Sequence, residues 1–127
     1  MAELVYPELS YKIIGIAFSI FNEVGFIPNE KQVQRLFEIG LKEAGLKYEK
    51  EKYIKLVYKG QIFGKYFIDF TVENKIVIEL KVRSQLGYAY AKQLLEYLRQ
   101  ANKKLGILIF FTKDGIKYRR ILNYKSD

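Results

Sequence analysis

The chain contains no cysteine and no histidine in 127 residues. Without cysteine there is neither a disulfide frame nor a thiolate metal site. Without histidine, imidazole-based triads, histidine-ligated zinc and HNH-type chemistry are excluded. Carboxylates, lysine and tyrosine remain as the groups able to do acid–base or metal chemistry. No apolar run approaches the length of a membrane span, and Met1 to Ser10 carries two glutamates, unlike a secretory leader, so a cytoplasmic protein with no membrane partner is expected. No low-complexity tract, internal repeat, linker or glycine-rich phosphate loop interrupts the chain. Half of the residues are hydrophobic, and the length suits one domain over 1–127 with a core of its own.

What is present in excess is positive charge. Twenty-two Lys and Arg against fourteen Asp and Glu leave a net charge of +8. Such a balance favours a polyanionic partner, although a lysine-rich surface also serves solubility alone.

Apolar residues at Leu9, Ile13, Ile16, Ala17, Ile20, Phe21 and Val24 fall on one helix face, with Pro7 suited to the start and Gly25 to the exit. A second helix follows Asn29, a candidate N-cap with Gln32 three residues on, and carries Val33, Leu36, Phe37, Gly40 and Leu41 inward until Ala44-Gly45. Alternation over Tyr48 to Tyr58 predicts a strand. Turns at Lys59-Gly60 and Glu73-Asn74 then divide Gln61 to Val72 from Lys75 to Val82, giving a three-strand antiparallel meander. A loop over 84–87 leads to a third helix over Tyr88 to Lys103, with Ala91, Leu94, Leu95, Leu98 and Ala101 inward. Lys104 to Phe111 is apolar throughout, as in a strand covered on both faces, and Ile116 to Ile121 closes the chain beside it. The order is ααβββαββ. A helix between the meander and the inner strand supplies the crossover of a mixed α/β sheet.

Charge interrupts this pattern at three places in the middle strands: Asp69, Glu79 and Lys81. Glu79 and Lys81 share a strand face, and Asp69 lies about as far before the Glu73-Asn74 turn as Glu79 lies after it, which can bring the two carboxylates side by side. Paired carboxylates in an apolar sheet repel and lose hydration. A divalent cation relieves both, and a lysine beside them holds or polarises a water. The alternative for each residue is an acid or ion pair on the exposed face of an edge strand. Arg83, Lys92, Arg99, Lys103 and Lys104 form a candidate phosphate-binding rim, and Lys113, Lys117, Arg119 and Arg120 a second basic group interleaved with Tyr118 and Tyr124.

Asp69, nine intervening residues and Glu79-Leu80-Lys81 within "IVIELK" resemble the Asp…(Asp/Glu)-x-Lys signature of the PD-(D/E)XK nuclease superfamily. Nearly the whole chain is also similar to the small family named for a Gly-x-x-Glu-x-x-Tyr motif (GxxExxY), whose opening resembles "ELSYKIIGIAF". Gly25 and Glu30 match that motif, while its second glycine falls on Ile27, its tyrosine on Val33 and a first-helix histidine on Asn22. The resemblance implies a restriction-endonuclease-like α/β fold, a mixed central sheet flanked by helices. It further implies Mg²⁺ or Mn²⁺ held by Asp69, Glu79, the Leu80 carbonyl and Glu30, with Lys81 assisting the attacking water. Read from its own sequence, Glu30 simply complements a helix dipole. Gln93 and Tyr97, four apart on the third helix, are similar to the Gln-x-x-x-Tyr element of RecB-like nucleases, which implies a DNA-positioning role; the plain alternative is a helix flank.

The implied function is metal-dependent hydrolysis of DNA phosphodiesters, structure-specific or weakly sequence-selective, with RNA left open as substrate and a homodimer as one arrangement for so small a domain. A nuclease-like nucleic-acid binder or accessory protein without turnover is the main alternative, and a basic interaction module with no nucleic-acid role is the third.

Overall fold

The computed structural model describes residues 5–83 and 88–124. The loop expected over 84–87 lies outside the described residues. Two helices come first, α1 (Pro7–Val24) and α2 (Glu30–Glu43). Proline opens α1, and Gly25 ends it at φ 83°, with its N–H donating to the Phe21 carbonyl. Asn29 caps α2 by accepting the Gln32 N–H at 3.0 Å, as its sequence predicts. The remaining elements are β1 (Tyr48–Lys50), β2 (Tyr53–Tyr58), β3 (Gln61–Phe67), β4 (Phe70–Val72), β5 (Ile76–Val82), α3 (Tyr88–Ala101), β6 (Leu105–Thr112) and β7 (Gly115–Leu122).

Five strands form the main sheet in the order β1-β4-β5-β6-β7, with β5 and β6 parallel across the α3 crossover and the other pairs antiparallel. Strand alternation sorts the core into two layers. Ile76, Ile78 and Leu80 of β5 and Ile107 and Ile109 of β6 pack with Ile13, Ala17, Val33, Phe37 and Leu41 of the first two helices. Val77, Leu108 and Phe110 pack on the other side with Leu94, Tyr97 and Leu98 of α3. Every residue of β6 is buried, so the strand is covered on both faces as expected. The fold is a mixed α/β sheet flanked by helices, of the restriction-endonuclease-like kind.

The meander is corrected. Neither 48–58 nor 61–72 is one strand: the first breaks at Glu51-Lys52, where Glu51 has φ 55°, and the second at Ile68-Asp69. The halves near the kinks, β1 and β4, stay in the main sheet, while β2 and β3 leave it as a separate two-stranded ribbon. Packing drives the bend. Ile54, Leu56 and Tyr66 on the inner face of the ribbon reach the apolar side of α3, which a flat extension of the sheet would leave uncovered. Backbone bonds lock both kinks together, from Glu51 N–H to the Asp69 carbonyl (3.0 Å) and from Ile68 N–H to the Lys52 carbonyl (2.9 Å).

Candidate active site

Strand register brings the acids together. Phe70 pairs with Ile78, Thr71 with Val77 and Val72 with Ile76, so Asp69, one step beyond, meets Glu79. The turn that sets this register has Glu73 and Asn74 at φ 52° and 55°, closed by Lys75 N–H on the Val72 carbonyl at 2.9 Å. Asp69 sits in the second kink, its N–H donating to the Ile78 carbonyl at 3.2 Å, and one of its side-chain oxygens accepts the Leu80 N–H at 2.6 Å. Its other oxygen accepts the Gln34 side-chain amide from α2. Glu79 is 3% exposed, is hydrogen-bonded to Asp69, and accepts the Tyr66 hydroxyl at 2.6 Å.

The two acids titrate as a unit. Burial above all, then the neighbouring Asp69 charge, pushes the Glu79 carboxyl up to about 8, against the pull of Tyr66 and Lys81. Burial also raises Asp69, opposed first by the Leu80 N–H. Both shifts run the same way, toward holding a proton where two carboxylates are buried side by side. Burial and the Glu79 charge raise the Tyr66 phenol as well, so it stays a donor.

Lys81 is half-buried on the same side of β5, within electrostatic reach of both acids, and its ammonium lies 4.7 Å from the centroid of the Tyr90 ring. Arg83 donates from Nε to the Tyr90 hydroxyl at 3.0 Å. Tyr90 thus orders both cations at the end of β5. Glu30 stands apart from the acid pair, its carboxylate accepting the Val82 N–H at 3.2 Å. Among the described residues no group of three or more acids converges on a point fit for a cation.

The expected rim residues Lys92 and Arg99 are exposed on α3, and so is Gln93 of the expected Gln93–Tyr97 face. Tyr97 parts company with Gln93. It is 4% exposed, lies in the α3 core layer, and its hydroxyl bonds Thr71 of β4.

Three participants are absent from the sequence reading: Gln34, Tyr66 and Tyr90. Gln34 belongs to a polar stripe, Glu30-Gln34-Glu38, spaced by four beside the apolar Val33-Phe37-Leu41 stripe, a signal present in the sequence. Each member ties α2 to a different part of the sheet, Glu30 to β5, Gln34 to the kink at Asp69 and Glu38 to β1, where it accepts the Tyr48 hydroxyl at 2.6 Å and the Lys50 ammonium at 3.2 Å. Tyr66 reaches Glu79 only because the ribbon folds back, which no local sequence signal marks. Asp69 also lines an open cavity of about 230 Å³ together with the cations Lys31, Arg35 and Lys50 and the acids Glu38 and Glu51, so Asp69 faces α2 and β1 while Glu79 stays buried behind it.

Two buried carboxylates set side by side fit a divalent cation, because the ion takes the place of a bound proton and removes their repulsion. A family model described as the PD-(D/E)XK nuclease superfamily matches residues 7–121. The fold is similar to that of the solved structure described as "Crystal structure of SSO0001", with a TM-score of 0.58 and 22% sequence identity over 92% of this chain. This chain spans 59% of the length of that one. No curated protein matches the sequence.

Proposed function

Because the chain belongs to the PD-(D/E)XK nuclease superfamily, we propose that it is a metal-dependent nuclease that hydrolyses DNA phosphodiesters, as a single domain over 1–127. The observation that carries this reading is the meeting of Asp69 and Glu79 in one buried pair with Lys81 alongside. In this reading Asp69, Glu79 and the Leu80 carbonyl hold Mg²⁺ or Mn²⁺. Glu30 joins as an outer acid, on the ground that its carboxylate already rests on the β5 backbone two residues beyond Leu80. When bound, the ion supplies charge neutralisation at the phosphate and acidifies water.

The remaining work falls to the chain itself. Gln34 and the Leu80 N–H fix the Asp69 carboxylate, and Tyr66 fixes that of Glu79, so neither acid has to reorganise during the reaction. Lys81, steadied over Tyr90, orients the attacking water and places positive charge next to the developing negative charge. Lys31, Arg35 and Lys50 receive phosphates in the adjoining cavity, and Arg83, Lys92, Gln93 and Arg99 provide a second contact line on the α3 side. The GxxExxY-like opening, with Gly25 and Glu30 in place, makes that subfamily the one proposed, and DNA as substrate carries with it the cytoplasmic location expected above.

The test is cleavage of labelled single-stranded, duplex and branched DNA in Mg²⁺ or Mn²⁺. Asp69→Asn and Lys81→Ala are expected to lower the rate at least about 100-fold while leaving the fold intact. Cleavage that survives both substitutions sinks the assignment. A second reading, a nuclease-like DNA binder without turnover, is favoured by one observation: the lack, among the described residues, of a third converging acid. Salt-sensitive DNA retention with no cleavage under any divalent ion would select it.

A further inference from the structure

The ribbon formed by β2 and β3 has an outer face that nothing in the fold covers. Its inner face is spent on α3, through Ile54, Leu56 and Tyr66. Outward lie Tyr53, directly opposite Phe67, and then Lys55, directly opposite Lys65. Beyond the irregularity at Leu56/Val57, Val57, Ile62 and Phe63 are exposed as well. The exposures are large for such side chains: 45% for Tyr53, 54% for Phe67 and 68% for Phe63. The Tyr53 and Phe67 rings stand 5.2 Å apart, and the Lys65 ammonium lies 4.7 Å from the Tyr53 centroid. From 53 to 67 the ribbon carries three lysines and no acid.

We propose that this outer face is a stacking platform for a single-stranded segment of the polynucleotide whose hydrolysis is assigned above, so the inference rests on that reading and narrows its substrate. Exposed aromatic rings with interleaved ammonium groups match what an unpaired polynucleotide presents, flat bases alternating with phosphates. A continuous duplex hides its base faces and has nothing to stack on Tyr53 or Phe67. A second copy of the chain fits poorly, because two-fold docking of these faces would oppose lysine-bearing rungs to one another. Continuity with the acid pair favours nucleic acid over an anionic lipid surface. Tyr66, next to Phe67 on the same strand, donates to Glu79, and Asp69 follows two residues later. A strand emerging from the acids along the ribbon meets the Tyr53-Phe67 pair first and the lysine pair next.

The experiment is binding of fluorescently labelled oligo-dT and of a blunt duplex in EDTA, for the wild type and for Tyr53→Leu with Phe67→Leu. The leucines keep apolar bulk on the ribbon while removing both ring faces, and thermal melting checks that the variant folds. Oligo-dT affinity is expected to fall about tenfold or more, with duplex affinity changed less than twofold. Unchanged oligo-dT affinity in a folded variant overturns the platform and leaves the nuclease assignment standing. A wild type that cleaves duplex in Mg²⁺ but does not bind oligo-dT overturns the platform alone, whereas one that neither binds nor cleaves any DNA overturns both. Concentration-dependent dimerisation, or binding to phosphatidylserine vesicles, that is lost in the variant while oligo-dT binding is retained assigns the face to a second copy or to a lipid surface, and likewise overturns it.

Discussion

At the scale of single residues, the informative group is the carboxyl of Glu79. With no histidine in the chain, the window from pH 5 to 8 contains no side chain with an ordinary pKa, so a buried acid that titrates there is visible without interference. Its ordinary value is 4.5, and burial beside Asp69 raises it to about 8 in the folded chain. The folded state therefore keeps a proton that the unfolded state has released. Stability from this group is full below pH 4.5 and is lost as pH rises to 8, by up to roughly 4 kcal/mol. Melting temperature in EDTA should fall across that interval, and Glu79→Gln should flatten the profile. Added Mg²⁺ should stabilise the protein more at pH 8 than at pH 5, because at the lower pH the ion must first displace the proton from Glu79. A Mg²⁺ shift of equal size at both pH values would disconnect the acid pair from metal binding. Gln34 offers a separate check. Gln34→Ala leaves the Leu80 N–H as a partner of Asp69 but removes the second tether, so cleavage should drop about tenfold with the melting temperature nearly unchanged.

At the scale of elements, the helices and the Asp69–Glu79 meeting are legible in the sequence because both depend on local counting. Helical spacing places Ile13, Ala17 and Ile20 inward, and the near-equal distance of the two acids from Glu73-Asn74 brings them together once Lys75 joins the turn and centres the register on Asn74. The kinks at Glu51-Lys52 and Ile68-Asp69 are not legible, since alternation reads the same on either side of a bend, and only the exposed flank of α3 determines where the ribbon must go. That is also why Tyr66 escapes notice, and why Tyr97, expected beside Gln93, is buried against Thr71 instead. Close approach of elements makes a further test. A Cβ on Gly106 of β6 would lie 2.8 Å from Leu94, a fully buried side chain of α3, whereas one on Gly40 of α2 would lie 2.5 Å from Cγ2 of Ile16, a half-buried side chain that borders a groove into which the helices have room to shift. Gly106→Ala should cost about 1–3 kcal/mol in urea unfolding and Gly40→Ala distinctly less. The reverse order would show that α3 is more loosely seated on the sheet than its buried Leu94, Tyr97 and Leu98 indicate.

At the scale of the whole molecule, the question is whether a net charge of +8 acts as a diffuse cloud or through placed groups. Lys31 and Arg35, four apart on α2, share the cavity that Asp69 lines with Lys50 of β1. Lys117 lies on β7, at the opposite edge of the sheet from β1, and is exposed. All these cations contribute equally to net charge, but only the first set borders the proposed scissile position. If phosphates are held there, each lost contact releases fewer counterions on binding, so Lys31→Ala with Arg35→Ala should weaken duplex binding and lower the slope of log affinity against log salt by about 1–2. A Lys117→Ala control should leave that slope nearly unchanged. Both variants lose positive charge, so equal changes per charge removed would mean that attraction is spread over the surface and that the cavity beside Asp69 does not hold the backbone of the substrate.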